Sequence, residues 1–267
     1  MKRITLSLFT ILFIVACNNN TNDEGTESSS TIPQTKSLAY TITNVYPHDT
    51  SSFTEGLEWH DGALLESTGE YGVSRLLKVN LKDGKPLKQI SLAKEFFGEG
   101  ITLFNGKIYQ LTYKEQKCFV YDVKTFKKLN EFSYDGEGWG LTNNGKQIIM
   151  SNGSSNLYFR DPETFKVLNI VGVSNNFGLV NNVNELEYVN GVIYANIWTT
   201  NKIIKIDPSN GKVLAEADFS NVLQKYVPEQ SLQKIDVFNG IAYDSIGKRF
   251  FLTGKYWPKV FEVKFDN

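Results

Sequence analysis

The chain has 267 residues, 41% of them hydrophobic and 13% aromatic, with 28 basic and 29 acidic side chains. A balance of −1 argues against nucleic acid or an anionic surface as a main partner. Two histidines (His48 and His60) and two cysteines are too few for a His/Cys metal site, and the length allows one sizeable core.

At the N-terminus Lys2 and Arg3 precede an apolar run, Ile4 to Val15, broken only by Thr5, Ser7 and Thr10. About twelve residues are too few for a membrane span, which needs about 20, so the run reads as a secretory leader. Ile14-Val15-Ala16-Cys17 resembles the lipobox of bacterial lipoproteins. The expectation is cleavage after residue 16 and lipid on the Cys17 thiol, which would hold the protein in the cell envelope by that anchor alone. An ordinary secretory leader followed by a chance cysteine is the competing reading. Residues 17–37, rich in Asn, Ser, Thr and Glu, read as a flexible tether, and the core is expected over 38–267. Loss of Lys2 and Arg3 would leave 26 basic residues against 29 acidic, a balance of about −3. With Cys17 lipidated, Cys118 stands alone and no internal disulfide can form.

Within the core, Tyr40-Thr41-Ile42-Thr43-Asn44-Val45 reads as a first strand. A short polar and glycine-bearing element then returns five times: Thr54-Glu55-Gly56-Leu57, Gly98-Glu99-Gly100-Ile101, Gly136 to Leu141, Asn184-Glu185-Leu186-Glu187 and Phe238-Asn239-Gly240-Ile241. Each reads as a tight corner before an amphipathic strand. Turn pairs follow at Asp61-Gly62, Asn105-Gly106, Asn144-Gly145, Asn190-Gly191 and Ile246-Gly247, spaced by 44, 39, 46 and 56 residues. The Asp-Gly and Asn-Gly pairs are the preferred chemistry of two-residue hairpin turns. Further strands are expected at 107–111, 119–122, 147–150, 157–161, 192–196, 203–206, 249–252 and 260–265. Helical spacing is confined to Asn221–Tyr226 and a second candidate, Leu92–Phe97.

A period of about 40–50 residues with three or four strands per unit is that of a β-propeller blade. Five units predict an all-β, five-bladed propeller. The N-terminal strand is expected to pair with Val260–Phe265 in the C-terminal blade, closing the ring and leaving no edge open. Two β-sandwiches are the alternative, disfavoured by the regular period.

A ring would bring Glu55, Glu99, Glu137 and Glu185 towards one axis. Such carboxylates repel and lose hydration, so a partner charge, a cation or a catalytic task is expected. Aromatic side chains accompany them: Phe53, Phe97, Tyr113, Trp139, Trp198 and Trp257. Trp198 and the Lys255-Tyr256-Trp257 run follow inner strands and are placed near one mouth. An aromatic box with an acid and one lysine suits a small cationic or amide-bearing ligand. Each residue also has a plainer role open to it. Glu99 could be a corner carboxylate bonding backbone N–H groups, Lys255 could pair with a clustered acid, and the indoles could be core.

Seven of these motifs, in order and across nearly the whole core, resemble the glutamine cyclotransferase family, the plant-type and bacterial glutaminyl-peptide cyclotransferases. They are Phe53-Thr54-Glu55-Gly56-Leu57, Phe97 to Thr102, Gly138 to Leu141, Asn184 to Tyr188, Ala195 to Trp198, Asp236 to Ala242 and Thr253 to Lys259. The resemblance implies a five-bladed propeller that converts N-terminal glutamine of peptides to pyroglutamate, an acyl transfer with release of ammonia and without zinc or another cofactor. It puts the acid/base on Glu99, polar anchors on Asn184 and Lys255, and aromatic walls on Phe53, Phe97, Trp139 and Trp198. The family usually has Gln where Glu55 stands and often Trp where Tyr113 stands. The implied partners are peptides or proteins beginning with glutamine, with a monomer as the expected state. A non-catalytic, lipid-anchored propeller binding peptides or a partner protein is the alternative, and a metal-dependent lactonase is a third reading, since axial acids in a propeller can hold calcium.

Overall fold

The computed structural model describes residues 35–228 and 234–266. The expected leader, Cys17 and most of the expected tether lie outside the described residues. Two strands open the described chain, β1 (Lys36–Ser37) and β2 (Tyr40–Pro47). The first blade follows as β3 (Thr54–His60), β4 (Ala63–Thr68), β5 (Arg75–Val79) and β6 (Pro86–Ser91). The second is β7 (Gly98–Phe104), β8 (Lys107–Thr112), β9 (Lys117–Asp122) and β10 (Lys128–Ser133). The third is β11 (Leu141–Asn143), β12 (Ile148–Met150), β13 (Asn156–Arg160) and β14 (Val167–Gly172). A small hairpin, β15 (Ser174–Asn175) and β16 (Gly178–Leu179), leads to the fourth. That blade is β17 (Val183–Val189), β18 (Val192–Ile197), β19 (Lys202–Ile206) and β20 (Val213–Asp218), with β1 added in parallel outside β20. Helix α1 (Val222–Tyr226) precedes β21 (Phe238–Asp244), β22 (Arg249–Gly254) and β23 (Lys259–Phe265) of the fifth.

Strands run in chain order from the axis outward in the first four blades. In the fifth, the outermost position is taken by β2, antiparallel to β23 from Tyr40↔Phe265 to Pro47↔Lys259. A strand from near the start of the described chain thus joins the sheet of the C-terminal strand, and the ring closes as the sequence predicts. The inner strands β3, β7, β11, β17 and β21 neighbour one another in that order, and β21 returns to β3. The candidate helix at Leu92–Phe97 is a turn instead, while Asn221–Tyr226 does hold the single α-helix among the described residues.

Alternation along each strand feeds two inter-blade cores. Leu65 and Leu76 pack towards Ile101, Ile108 and Phe119 of the second blade. Their neighbours Leu64 and Leu77 pack towards Ala242, Phe251 and Val260 of the fifth. Three of the five turn pairs have positive φ at both residues, as a type I′ turn requires: Asp61 (48°) and Gly62 (73°), Asn105 (50°) and Gly106 (73°), and Asn190 (50°) and Gly191 (91°); at Asn144-Gly145 only the glycine does, and at Ile246-Gly247 neither does.

The repeated glycine-bearing elements are not tight corners. Four of the five are β-bulges within the inner strands, each adding one residue opposite the next strand, between Thr54 and Gly56, Gly98 and Ile101, Val183 and Leu186, and Phe238 and Ile241; in the third, residues 136–140 are irregular chain leading into β11. A bulge bends a strand and re-aims a side chain. At Gly56 a Cβ would lie 2.5 Å from the Ile101 nitrogen, and at Gly100 one would press on Trp139 O and Leu141 N. The glycines are there because backbones of adjacent blades touch near the axis.

Candidate functional site

The bulges set the register of the site. Counting from them, Glu55, Glu99, Asn184 and Asn239 occupy one equivalent position, and Trp139 takes it in the third blade, two residues before Leu141. The next position holds Gly56, Gly100, Gly140, Glu185 and Gly240. The sequence reading grouped Glu185 and Glu137 with Glu55 and Glu99. The structure moves them out by one and two residues, because matching carboxylate to carboxylate misaligns a blade that has Glu185 at the glycine position and another that has Trp139 at the position of Glu99.

A cavity of about 400 Å³ opens at one mouth of the ring. Its walls include Phe53, Glu55, Phe97, Glu99, Tyr113, Trp139, Asn184, Trp198 and Lys255, all nine of the side chains singled out from the sequence for binding or catalysis. Thr199, Asp236 and Val237 complete the lining and were missed. Val237 is readable in retrospect, since it precedes its bulge as Phe53 and Phe97 precede theirs. In all three, the carbonyl accepts the same backbone bond, from Lys255 N, Gly69 N and Tyr113 N. Thr199 adopts φ of 66°, a costly conformation for a β-branched residue, and nothing local in the sequence signals it.

Two residues expected near the site lie elsewhere. Trp257 is 1% exposed, packed between Phe238 and Phe261, with its Nε1 donating to Asp236 O at 2.9 Å. It is core, folded back against Gly254. Glu137 lies on the rim, where its carboxylate accepts from Trp139 Nε1 at 3.1 Å and sits 3.7 Å from Lys114.

Within the cavity, Glu99 is 5% exposed, and no side chain or backbone N–H among the described residues donates to its carboxylate. Burial, then the nearby charge of Glu55, lifts its carboxyl well above the usual carboxylate range, with Lys255 opposing and Glu137 and Glu115 adding. Glu55, 2% exposed, accepts from Lys255 Nζ at 2.7 Å and from Asn239 Nδ2 at 3.4 Å. Burial pushes Glu55 up to about 7 against the pull of Lys255. Lys255 therefore does form the ion pair that was its plainer role, and it does so inside the cavity, with Nζ 4.3 Å from the Phe53 ring centroid. The Asn184 side chain, 3% exposed, has a buried Oδ1 without a partner. A buried, unpaired amide oxygen costs stability and gains only if something else completes its bonding.

The aromatic walls fall into two groups. Phe53 meets Phe97 edge-on at 6.0 Å, and Phe97 meets Tyr113 at 5.8 Å. Across the mouth Trp139 and Trp198 form a T-shaped pair at 5.5 Å, with Trp198 39% exposed. The indoles are wall rather than core.

Deeper along the axis the carboxylates do different work. Glu185, fully buried where other blades have glycine, accepts from Ile241 N at 2.9 Å and Leu57 N at 3.2 Å, spanning from the fourth blade to the fifth and first. Glu187 accepts from Tyr243 N at 3.0 Å. Glu58 accepts from Leu103 N at 3.0 Å and Thr102 Oγ1 at 3.2 Å. The corner-carboxylate role considered for Glu99 belongs to these three. His48, 8% exposed, bridges Glu66 (3.0 Å) and Trp257 O (2.7 Å), which ties the first blade to the fifth. Among the described residues no group of three or more His, Cys, Asp or Glu is arranged to hold a metal ion.

A model of the glutamine cyclotransferase family matches residues 11–265. A glutaminyl-peptide cyclotransferase of Arabidopsis thaliana is 38% identical over 221 residues, which is 82% of this chain and 69% of that protein. The crystal structure of Myxococcus xanthus glutaminyl cyclase superposes with a TM-score of 0.81 at 35% identity, covering 87% of this chain and 99% of that one.

Proposed function

Because the chain belongs to the glutamine cyclotransferase family, we propose that it cyclises the N-terminal glutamine of peptides to pyroglutamate, with Glu99 as the acid/base. The observation that supports this most is a buried carboxyl with no protein partner, facing an aromatic cavity of about 400 Å³.

In this reaction the substrate's α-amine attacks its own side-chain amide carbon. A C–N bond forms, the bond to the amide nitrogen breaks, and ammonia leaves. Nucleophile and electrophile are already tethered, so the site need only hold the folded conformer, which removes much of the entropic barrier. Phe53, Phe97, Trp139 and Trp198 supply walls of the right size for a glutamine side chain folded on itself.

The α-ammonium loses its proton at about pH 7.7–8.0. An ordinary carboxylate is far too weak a base to share that proton. Glu99, lifted by burial and by Glu55, is brought towards the amine, so transfer in either direction is cheap. It takes the proton released as the amine attacks and delivers it to the departing nitrogen. In this reading the Asn184 Nδ2 and the Lys255 ammonium, both on the cavity wall, donate to the substrate's peptide carbonyl and to the oxygen that becomes negative at the tetrahedral stage, while the unpaired Asn184 Oδ1 accepts an N–H of the substrate. No step calls on zinc or another metal. The step is an acyl transfer from the amide nitrogen to the α-nitrogen. Attachment through Cys17 in the cell envelope belongs to the same proposal and rests on the lipobox alone.

The test is ammonia release from a glutamine-initiated dipeptide by the purified protein. Stoichiometric ammonia and pyroglutamyl product support the reading. A folded protein that releases none refutes it.

A further inference from the structure

A second cavity, of about 590 Å³, lies between the second and third blades and shares no lining residue with the one that holds Glu99. We propose that it is an oxyanion site, with the Arg160 guanidinium as its anchor and a phosphate or carboxylate group as its ligand.

Arg160 ends β13 and is 5% exposed. Its one hydrogen bond is from Nη1 to Phe165 O at 2.9 Å, and its Nε is buried without a partner. No carboxylate among the described residues lies within ion-pair distance of it. The guanidinium is instead framed by three rings, with centroids at 4.9 Å (Phe165), 5.5 Å (Tyr134) and 5.9 Å (Tyr158). Rings offset part of the desolvation of a cation, but they use none of its N–H donors in plane. A buried charge normally has a hydrogen-bonded counter-charge, and its absence is expensive. Arginine's planar fork is the side chain best matched to an oxyanion that can take two parallel bonds.

The rest of the lining fits that ligand. Lys166, exposed at the entrance, adds a second positive charge. The Tyr158 hydroxyl accepts from Asn152 Nδ2 at 3.3 Å, so its own proton is free to point at a ligand. Asp135, also exposed, is the single acid in the lining and opposes an anion. Its effect gives the proposal a sign that can be checked: neutralising it tightens binding, whereas neutralising Lys166 weakens it.

The experiment is calorimetric titration of the whole protein with inorganic phosphate and, separately, with acetate, at ionic strength fixed by chloride. Saturable binding of at least one is expected, and the stronger arm identifies the ligand class. Arg160→Met is expected to weaken that binding roughly tenfold or more, the effect of losing a charge-assisted pair of bonds. Lys166→Ala should weaken it a few-fold by removing a charge, and Asp135→Asn should tighten it. Circular dichroism checks the fold of each variant. If Arg160→Met does not fold, the two exposed substitutions decide by their opposite signs. No saturable binding of either ion to the wild-type protein overturns the site. Affinities that stay unchanged in both Lys166→Ala and Asp135→Asn overturn it equally.

Discussion

The mouth and the deep axis of this ring both contain buried carboxylates, and they differ in one respect. At the axis Glu58, Glu185 and Glu187 each accept backbone N–H groups from another blade. At the mouth Glu55 takes a lysine, and Glu99 takes nothing from the protein. All five are pushed upward by loss of water. Burial and a raised pKa are therefore common to structural and chemical acids here. What separates them is whether the oxygens are already satisfied. An acid that staples blades together has spent its lone pairs, and one that must handle a substrate's proton has kept them.

Exchanging the two roles is the sharpest way to break this contrast. Glu99→Gln keeps shape and removes the titrating group, so kcat/KM for a glutamine-initiated dipeptide should fall by about 10²–10⁴. Its melting temperature should hold or rise, since an unpaired buried acid is gone. Glu185→Ala should do the reverse. It leaves two buried N–H groups without an acceptor, each costing about 1–3 kcal/mol, so denaturant titration should show a loss of about 2–6 kcal/mol. Activity per folded molecule should remain largely intact. Equal losses of activity at constant stability in both variants would erase the distinction.

Glu55→Gln acts between the two regions. It removes the charge that, after burial, does most to lift Glu99, and it frees Lys255 to favour ionised Glu99. The acidic limb of the kcat/KM profile should move to lower pH. A limb that stays put would uncouple the two carboxyls.

A smaller effect concerns stability against pH. Glu58 is raised from 4.5 to about 7, and Glu185 and Glu187 are raised well above 4.5, burial being the first cause in each. Between about pH 4.5 and 7 the folded protein therefore binds more protons than the unfolded chain. Their stabilisation is complete below 4.5 and is lost as pH rises through the folded values. Asp49, Asp244 and Glu262 are shifted the other way, so their contribution is lost on acidification below the usual carboxylate range. Melting temperature should peak near pH 5 and be lower at pH 8. A flat curve from pH 5 to 8 would mean that the axial acids are already hydrated. Dialysis against a chelator should have the least effect of all, leaving cyclisation unchanged.

The blade count and the ring closure through Tyr40–Val45 were legible because they rest on periodicity and on turn chemistry, both local in sequence, whereas the nine cavity residues were legible chiefly through motifs that resemble those of the glutamine cyclotransferase family. Asp-Gly and Asn-Gly pairs mark the hairpins residue by residue. What stayed hidden depended on contacts between blades. The slip that confused Glu185 with Glu99 arises because the fourth blade carries Glu at the position where the other blades have glycine, and only the contacts between blades show which residue is equivalent to which. Trp257 read as a mouth residue because the strand before it reads as an inner one; that strand, β22, is second from the axis, and Gly254, lacking a side chain, lets the indole fold back into the core. Asp236 opens one of the seven motifs but, like Thr199, reaches the cavity by the path of its loop, which no local pattern sets out.

Difference infrared titration of the wild-type protein against Glu99→Gln reads the carboxyl at position 99 directly. Its protonated C=O band should persist well above the ordinary carboxylate range and vanish along the acidic limb of kcat/KM. A band that is lost at about pH 4–5, where free glutamate ionises, while the activity limb lies elsewhere, would contradict this.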